Sequence, residues 1–317
     1  MTSRDGQPGR FATVDLGTNT VRLLVVDVAG GAWRALHQAQ RVTRLGEGQA
    51  AAGRLLPEAM RRTAAAVAEF ARAARGFGAT RIRIVATSAV REAVNREEFV
   101  TRVETETGER VEVVSGEDEA RLTLRGVASG LPDLGDPFAL FDIGGGSTEF
   151  LLARGGEPTV AVSLKLGVVP LQEEWGDPGP VRWERFARLR LLVERRLTDE
   201  VPDAIARADA TDLVGTAGTV TTLAALDLGL PAYDPARVHG HRIDRGAVER
   251  QLARLGALDV AERGRLPCLE PGRADVIIPG IAICLAAMAR FERDSVLVSD
   301  RGLREGILCE LVGAVPR

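Results

Sequence analysis

The stretch FDIGGGSTEF, Phe141 to Phe150, sets an acid, three consecutive glycines, a hydroxyl pair and a second acid in one short run. Consecutive glycines let a backbone approach a ligand closely and aim several N–H groups at one point. That arrangement suits phosphate oxygens, above all beside a helix N-terminus. The chain carries three such loops. They are Gly17-Thr18-Asn19-Thr20, Gly144-Gly145-Gly146-Ser147 and Gly215-Thr216-Ala217-Gly218-Thr219. Each alone is weak, because D-x-G is also a common turn. Together, at the ends of apolar runs and twice preceded by Asp, they point to anion binding. None fits G-x-x-x-x-G-K-[ST], since the only lysine is Lys165, and no G-x-G-x-x-G opens a helix.

Asp15, Asp142 and Glu149 stand beside these loops as hard oxygen ligands. Mg²⁺ is held by one or two carboxylates, waters and substrate phosphate oxygens, so these acids fit a magnesium site. Turn capping by Asp15 and Asp142, and an exposed hairpin position for Glu149, are the structural alternatives. A further acid lies in SGEDEAR, Ser115 to Arg121. Ser115 can cap a helix, with Asp118 closing a capping box, and acids in the first turn oppose the macrodipole. Glu119 is turned off that capping face by the helical period. A carboxylate there could orient or deprotonate an attacking water.

These residues need a scaffold. The 317 residues, 45% hydrophobic and 27% charged, are enough for two globular domains. A net charge of −3 supplies no cationic field for nucleic acid or membrane, and 4% aromatics leave little for base stacking. The separated Cys268, Cys284 and Cys309 suggest neither zinc nor a disulfide framework. With a polar N-terminal stretch, they make a cytoplasmic setting the expectation. The uncharged run 276–289 contains Pro279 and is too short to span a bilayer, so it reads as a buried helix.

Apolar runs predict strands over 11–14, 21–28, 33–45, 82–86 and 111–114, with helices over 57–75, 96–107 and 116–128. The loop SGLPDLGDP marks a domain boundary. The opening pattern then returns: strands over 138–141 and 150–153 flank the second glycine loop, and Asp15 and Asp142 lie 127 positions apart. Helices are expected over 181–197, 245–255, 278–291 and 303–311, with strands over 212–214 and 295–298. Two matching halves of mixed strands and helices argue for two duplicated α/β domains facing a cleft. HGHR, His239 to Arg242, reads either as a metal-binding pair or as a polar loop.

Together TVDLGTNTVRLLVVD, ATSAVREAVN, VVSGEDEARL, FDIGGGSTEF, GTAGTVTTLAAL and SDRGLREGIL resemble the exopolyphosphatase / guanosine pentaphosphate phosphatase (Ppx/GppA) family, in order, from about residue 11 to 311. The resemblance implies the two-domain fold shared with actin, sugar kinases and heat-shock chaperones. It implies a domain I over 1–130, with a terminal helix (301–317) packing back on it, and a domain II over 131–300. It also implies Mg²⁺-assisted hydrolysis of a terminal phosphoanhydride, in inorganic polyphosphate or guanosine pentaphosphate, and, by analogy, a homodimer.

By motif position, Glu119 matches the family's catalytic glutamate and Arg91 a substrate-phosphate arginine. Asp142 and Glu149 match acidic positions tied to metal or water. Gly17, Thr18 and Asn19 match the first phosphate loop, and Gly144, Gly145, Gly146 and Ser147 the second. The third loop offers Gly215, Thr216, Gly218 and Thr219. Thr18 and Thr20 stand where many members have serine, and Asp118 where glutamate is usual. Long members carry further helical domains resembling HD hydrolases. This sequence has no His-Asp pair, so weaker binding of long polyphosphate is expected. A kinase of the same fold and a catalytically silent polyphosphate or alarmone sensor are the rival readings.

Overall fold

The computed structural model describes residues 8–313. The chain divides into two compact units: the described residues up to Pro132 together with those from Arg301, and Asp133–Asp300. The break falls inside the Gly-, Pro- and Asp-rich loop.

The first unit opens as an antiparallel meander of β1 (Gly9–Leu16), β2 (Thr20–Ala29) and β3 (Ala32–Val42). Then follow α1 (Gln49–Ala52), α2 (Pro57–Gly76), β4 (Arg81–Ala86), α3 (Ser88–Glu92), α4 (Arg96–Thr107), β5 (Val111–Val113) and α5 (Gly116–Ala128). The sheet order is β3-β2-β1-β4-β5, with β1, β4 and β5 parallel. β1 and β2 are buried on both faces, as their nearly continuous apolar runs require. The apolar stripe of α2 (Met60, Ala64, Val67 and Phe70) packs with Val14, Leu16, Leu23 and Val25 in one core.

The second unit begins with β6 (Phe138–Ile143), β7 (Thr148–Arg154), β8 (Glu157–Leu164), α6 (Val168–Trp175), α7 (Trp183–Glu200) and α8 (Asp203–Ala206). It continues with β9 (Leu213–Thr216), α9 (Ala217–Asp227), α10 (Pro235–Val238), β10 (Arg242–Asp244), α11 (Arg245–Gly256), α12 (Val260–Arg263), α13 (Ile277–Arg290) and β11 (Ser295–Val298). Its sheet runs β10-β11-β9-β6-β7-β8. Read from β8 to β11, this order reproduces that of the first unit, with β10 added at the edge. The architecture is therefore a duplicated α/β fold. The 276–289 run forms α13, buried along nearly its whole length. Pro279 sits in the first turn, where no intrahelical N–H bond is lost. Among the described residues no helix is long and apolar enough to cross a membrane.

Periodicity does not reveal β8, α6 or β10. β8 is half-exposed along most of its length and lacks clean alternation. Its connection to β7 is built on Gly155 and Gly156, which both take positive φ, as Gly30 and Gly31 do between β2 and β3. That is the signature of a two-residue hairpin.

The last helix, α14 (Leu303–Val312), belongs to the first unit. Leu308 and Val312 cover Phe11, Leu24 and Val26, while Ile307 joins Val85 and Leu122. Glu310 accepts from Arg83, Arg121 and Arg125, tying α14 to β4 and α5. Burial alone would raise its carboxyl, but those three guanidinium groups hold it below its usual range. The α5–α14 contact is backbone on backbone. A Cβ on Gly306 would lie 1.7 Å from Leu122 O, and one on Gly126 1.8 Å from Gly302 O. Gly306→Ala should therefore lower stability by about 1–3 kcal/mol, the range for overpacking, read as a drop in the denaturant midpoint. A wild-type midpoint in that variant would show that the helices separate freely.

Candidate active site

In the first unit, three parallel strands deliver the predicted residues to one edge of the sheet. Ligands of open α/β sheets bind at the carboxyl ends of such strands. β1 ends on Asp15 and Leu16, β4 leads into α3 with Arg91, and β5 leads into α5 with Glu119. Arg91 and Glu119 meet: Arg91 Nη1 donates to Glu119 Oε2 at 2.9 Å and to Val114 O at 2.9 Å. Glu119 is buried, so the pair is shielded from solvent screening.

The α5 start explains this placement only in part by capping. Ser115 Oγ accepts from Asp118 N–H, as expected. The reciprocal half of the predicted capping box does not form, because the Asp118 side chain is one methylene short. Its carboxylate instead accepts from Ser115 Oγ–H and from Arg121. Glu119 takes no part in the cap.

The first glycine loop is anchored by its carbonyls. Thr18 O accepts from Gly46 N–H, and Asn19 O from the N–H groups of Thr43 and Arg44. Thr18 Oγ1 accepts from Ala89 N–H at 3.2 Å, linking the loop to α3, while Gly17 N–H closes the turn onto Thr20 O. Asn19 Oδ1 is buried with no hydrogen-bond partner. Burial pushes the Asp15 carboxyl above its ordinary value; Arg22 and Arg304 pull it down, and Glu305 pushes it up.

In the second unit, Asp142 and Glu149 are direct cross-strand partners on β6 and β7. Like charges so placed repel. Glu149 is almost fully buried, and its Oε1 accepts from both Ser147 Oγ at 2.7 Å and Ser163 Oγ at 2.6 Å. The Ser147 hydroxyl proton is thus directed at Glu149. The second loop turns its carbonyls inward: Gly144 O and Gly145 O accept from Val168 and Val169 at the start of α6. Gly145 and Gly146 N–H donate to no described residue.

The third predicted loop is the direct junction of two elements, with Gly215 and Thr216 ending β9 and Ala217 to Thr219 opening α9. Gly215 O accepts from Ser299 N–H, and Thr216 Oγ1 donates to Ser299 O at 3.0 Å. Ala217 takes φ +69°, a left-handed conformation rare for a residue with Cβ, where α9 begins. Such strain is stored at functional sites. Gly218 and Thr219 form the first turn of α9. Sequence reasoning missed Arg273, whose Nη1 lies 2.3 Å from where a Gly218 Cβ would stand. Arg273 also pairs with Glu270 at 3.4 Å, and that i,i+3 spacing was its only signal. The HGHR loop is hydrogen-bonded: His241 Nε2 meets Asp227 Oδ2, and His239 Nδ1 accepts from Asp300 N–H.

The Ppx/GppA phosphatase family model matches residues 24–314. The chain belongs to the Ppx/GppA phosphatase family. It is 37% identical to exopolyphosphatase 2 of Mycobacterium tuberculosis, over 96% of this chain and 99% of that protein. It is 31% identical to exopolyphosphatase 1 of Mycobacterium leprae, over 94% and 88%. Among solved structures, the Aquifex aeolicus Ppx/GppA family member is 34% identical with a TM-score of 0.80, over 96% of this chain and 98% of that one. An exopolyphosphatase from Cytophaga hutchinsonii is 26% identical with a TM-score of 0.89, over 97% and 100%.

The hydroxyl donors around Glu149 can be tested directly. Ser163→Ala removes one of two hydroxyl donors to a buried carboxylate and should lower stability by about 1–3 kcal/mol. Double-mutant melts with Ser147→Ala should be non-additive, because both hydroxyls serve one oxygen. Strict additivity would show that Glu149 does not join them.

Proposed function

We propose that this chain is an exopolyphosphatase. It is a hydrolase of phosphoric anhydrides, and its substrate is inorganic polyphosphate, from which it releases the terminal phosphate. The observation that carries this reading is the Arg91–Glu119 pair at the carboxyl edge of β4 and β5, in a chain whose relatives are named exopolyphosphatases.

Water oxygen attacks the terminal phosphorus, and the bond from that phosphorus to the bridging oxygen breaks. The bridging oxygen leaves with the electron pair on the shortened chain. Phosphoryl transfer needs little covalent help, so positioning and charge stabilisation dominate. Glu119 orients the water and accepts its proton. Arg91 holds Glu119 through Oε2 and places positive charge beside the transferring group. In the second unit, taken by itself, the N–H groups of Gly145 and Gly146 and the N-terminus of α9 are donors of the kind that bind phosphate oxygens.

A divalent cation, Mg²⁺ by the chemistry of the donors, fits the residues present. Among the described residues no group of three or more His, Cys, Asp or Glu is arranged for a metal. A cation bound here would therefore rely on one or two carboxylates and on oxygens from solvent and substrate, as Mg²⁺ does. Asp15 and the buried, unpartnered Asn19 Oδ1 are oxygen donors of that kind in the first unit, and Asp142 and Glu149 in the second. When bound, the cation screens the repulsion between these acids and a polyanion.

Glu119→Gln should retain the fold and lower phosphate release by ~10²-fold or more. Near-normal turnover would remove Glu119 from the mechanism. A phosphate-release panel of short and long polyphosphate, guanosine pentaphosphate and ATP identifies the substrate; preference for the nucleotide over every polyphosphate would overturn the assignment.

Asp15 gives a second test. A carboxyl raised by folding contributes stability that is present below its unfolded pKa and lost as pH rises through the folded one. Ionising Asp15 in the folded state therefore opposes folding. Asp15→Asn should raise the melting midpoint in chelator, abolish the rise that Mg²⁺ gives the wild type, and lower phosphate release. An unchanged Mg²⁺ response would place the cation elsewhere.

A further inference from the structure

Arg263, on α12 of the second unit, is 1% exposed. Its Nε donates to Leu255 O at 2.8 Å, but its Nη2 is buried without a hydrogen-bond partner. The indole Nε1 of Trp175, at the end of α6, is likewise buried and unpartnered. Both side chains line one cavity, with room for one water-sized particle at about 20 Å³. Val181, Phe186, Leu189 and Ile278 form apolar wall around it.

Among the described residues the charge has no ion-pair partner. A guanidinium does not deprotonate in proteins, and a buried charge is costly unless paired. Asp177, Asp259 and Asp275 are near enough to act on Arg263 electrostatically, yet among the described residues none makes an ion pair with it. Asp177, which also lines the cavity, is bound by Arg182 through Oδ1 and through the backbone N–H. Asp259 Oδ1 caps α12.

Two residues with buried, unpartnered donors that cannot accept therefore line one small, partly apolar space, and one of them is a cation with no ion-pair partner. We propose that this cavity is a binding site for a single monatomic anion, chloride being the physiological member of the class. Water would satisfy both N–H groups but leave the guanidinium without a contact counter-ion. Orthophosphate, with five heavy atoms, is too large for the space. The site lies where the end of α6, α7, α12 and the start of α13 meet, so the anion joins four elements of the second unit. The inference is independent of the catalytic reading.

The test is thermal unfolding of the full chain while sodium gluconate is replaced by sodium chloride at constant ionic strength. The wild type should show a saturable rise of a few degrees, as a ligand bound only to the native state produces. Trp175→Phe keeps the ring and removes one donor, so its half-saturation should move about ten-fold or more upward. Arg263→Met should show no chloride response. Should Arg263→Met fail to fold, the wild-type and Trp175→Phe titrations decide the matter. Equal midpoints in the two salts for the wild type, or a Trp175→Phe half-saturation equal to that of the wild type, would overturn the site.

Discussion

Parallel pairing of β1, β4 and β5 is the constraint on which the first unit's chemistry rests. Strands that run in one direction bring their carboxyl ends to one edge, and whatever follows each strand is delivered there. This is how Asp15, Arg91 and Glu119, far apart in sequence, reach the same border of the sheet, and how the Arg91–Glu119 hydrogen bond becomes possible. The helix that carries Glu119 is fixed in turn by α14, whose backbone touches that of α5 through Gly126 and Gly306. A C-terminal helix with no predicted catalytic residue thus governs where Glu119 can stand.

Duplication repeats the scaffold but not its charges. The two sheets share one strand order, and the first and second glycine loops close with the same bond, Gly17 N–H to Thr20 O and Gly144 N–H to Ser147 O. Asp15 pairs across its hairpin with Arg22, whereas Asp142 pairs with Glu149. An acid opposite a base is partly neutralised. An acid opposite an acid needs proton, cation or hydroxyl donors, and Ser147 and Ser163 supply two of the last. The same strand order therefore presents two electrostatically different sites, one beside the Arg91–Glu119 pair and one built from backbone N–H groups and hydroxyls.

The elements most legible in the sequence were those with one environment along their length. The buried strands β1, β2 and β6 follow their continuous apolar runs, and the amphipathic α2 follows its helical period. β8, half-exposed, and the three-residue β10 do not, because an edge strand's pattern is set by neighbours rather than by its own alternation. Glu119 was separable from its neighbours by the helical period, since Ser115 and Asp118 account for the cap. Arg273 was not separable, because nothing in EPGR says that its guanidinium lies against the first turn of α9.

Residue type and local spacing, taken alone, determined the three glycine loops, the acids beside them, the repeat and the cap at Ser115, because each depends on a few consecutive residues. Only the tertiary structure decided which donors Glu149 receives, that Arg91 holds Glu119, that α14 locks α5, and that Arg263 is buried without a carboxylate partner. Those facts depend on contacts between segments distant in the chain, and no periodicity within a segment encodes them.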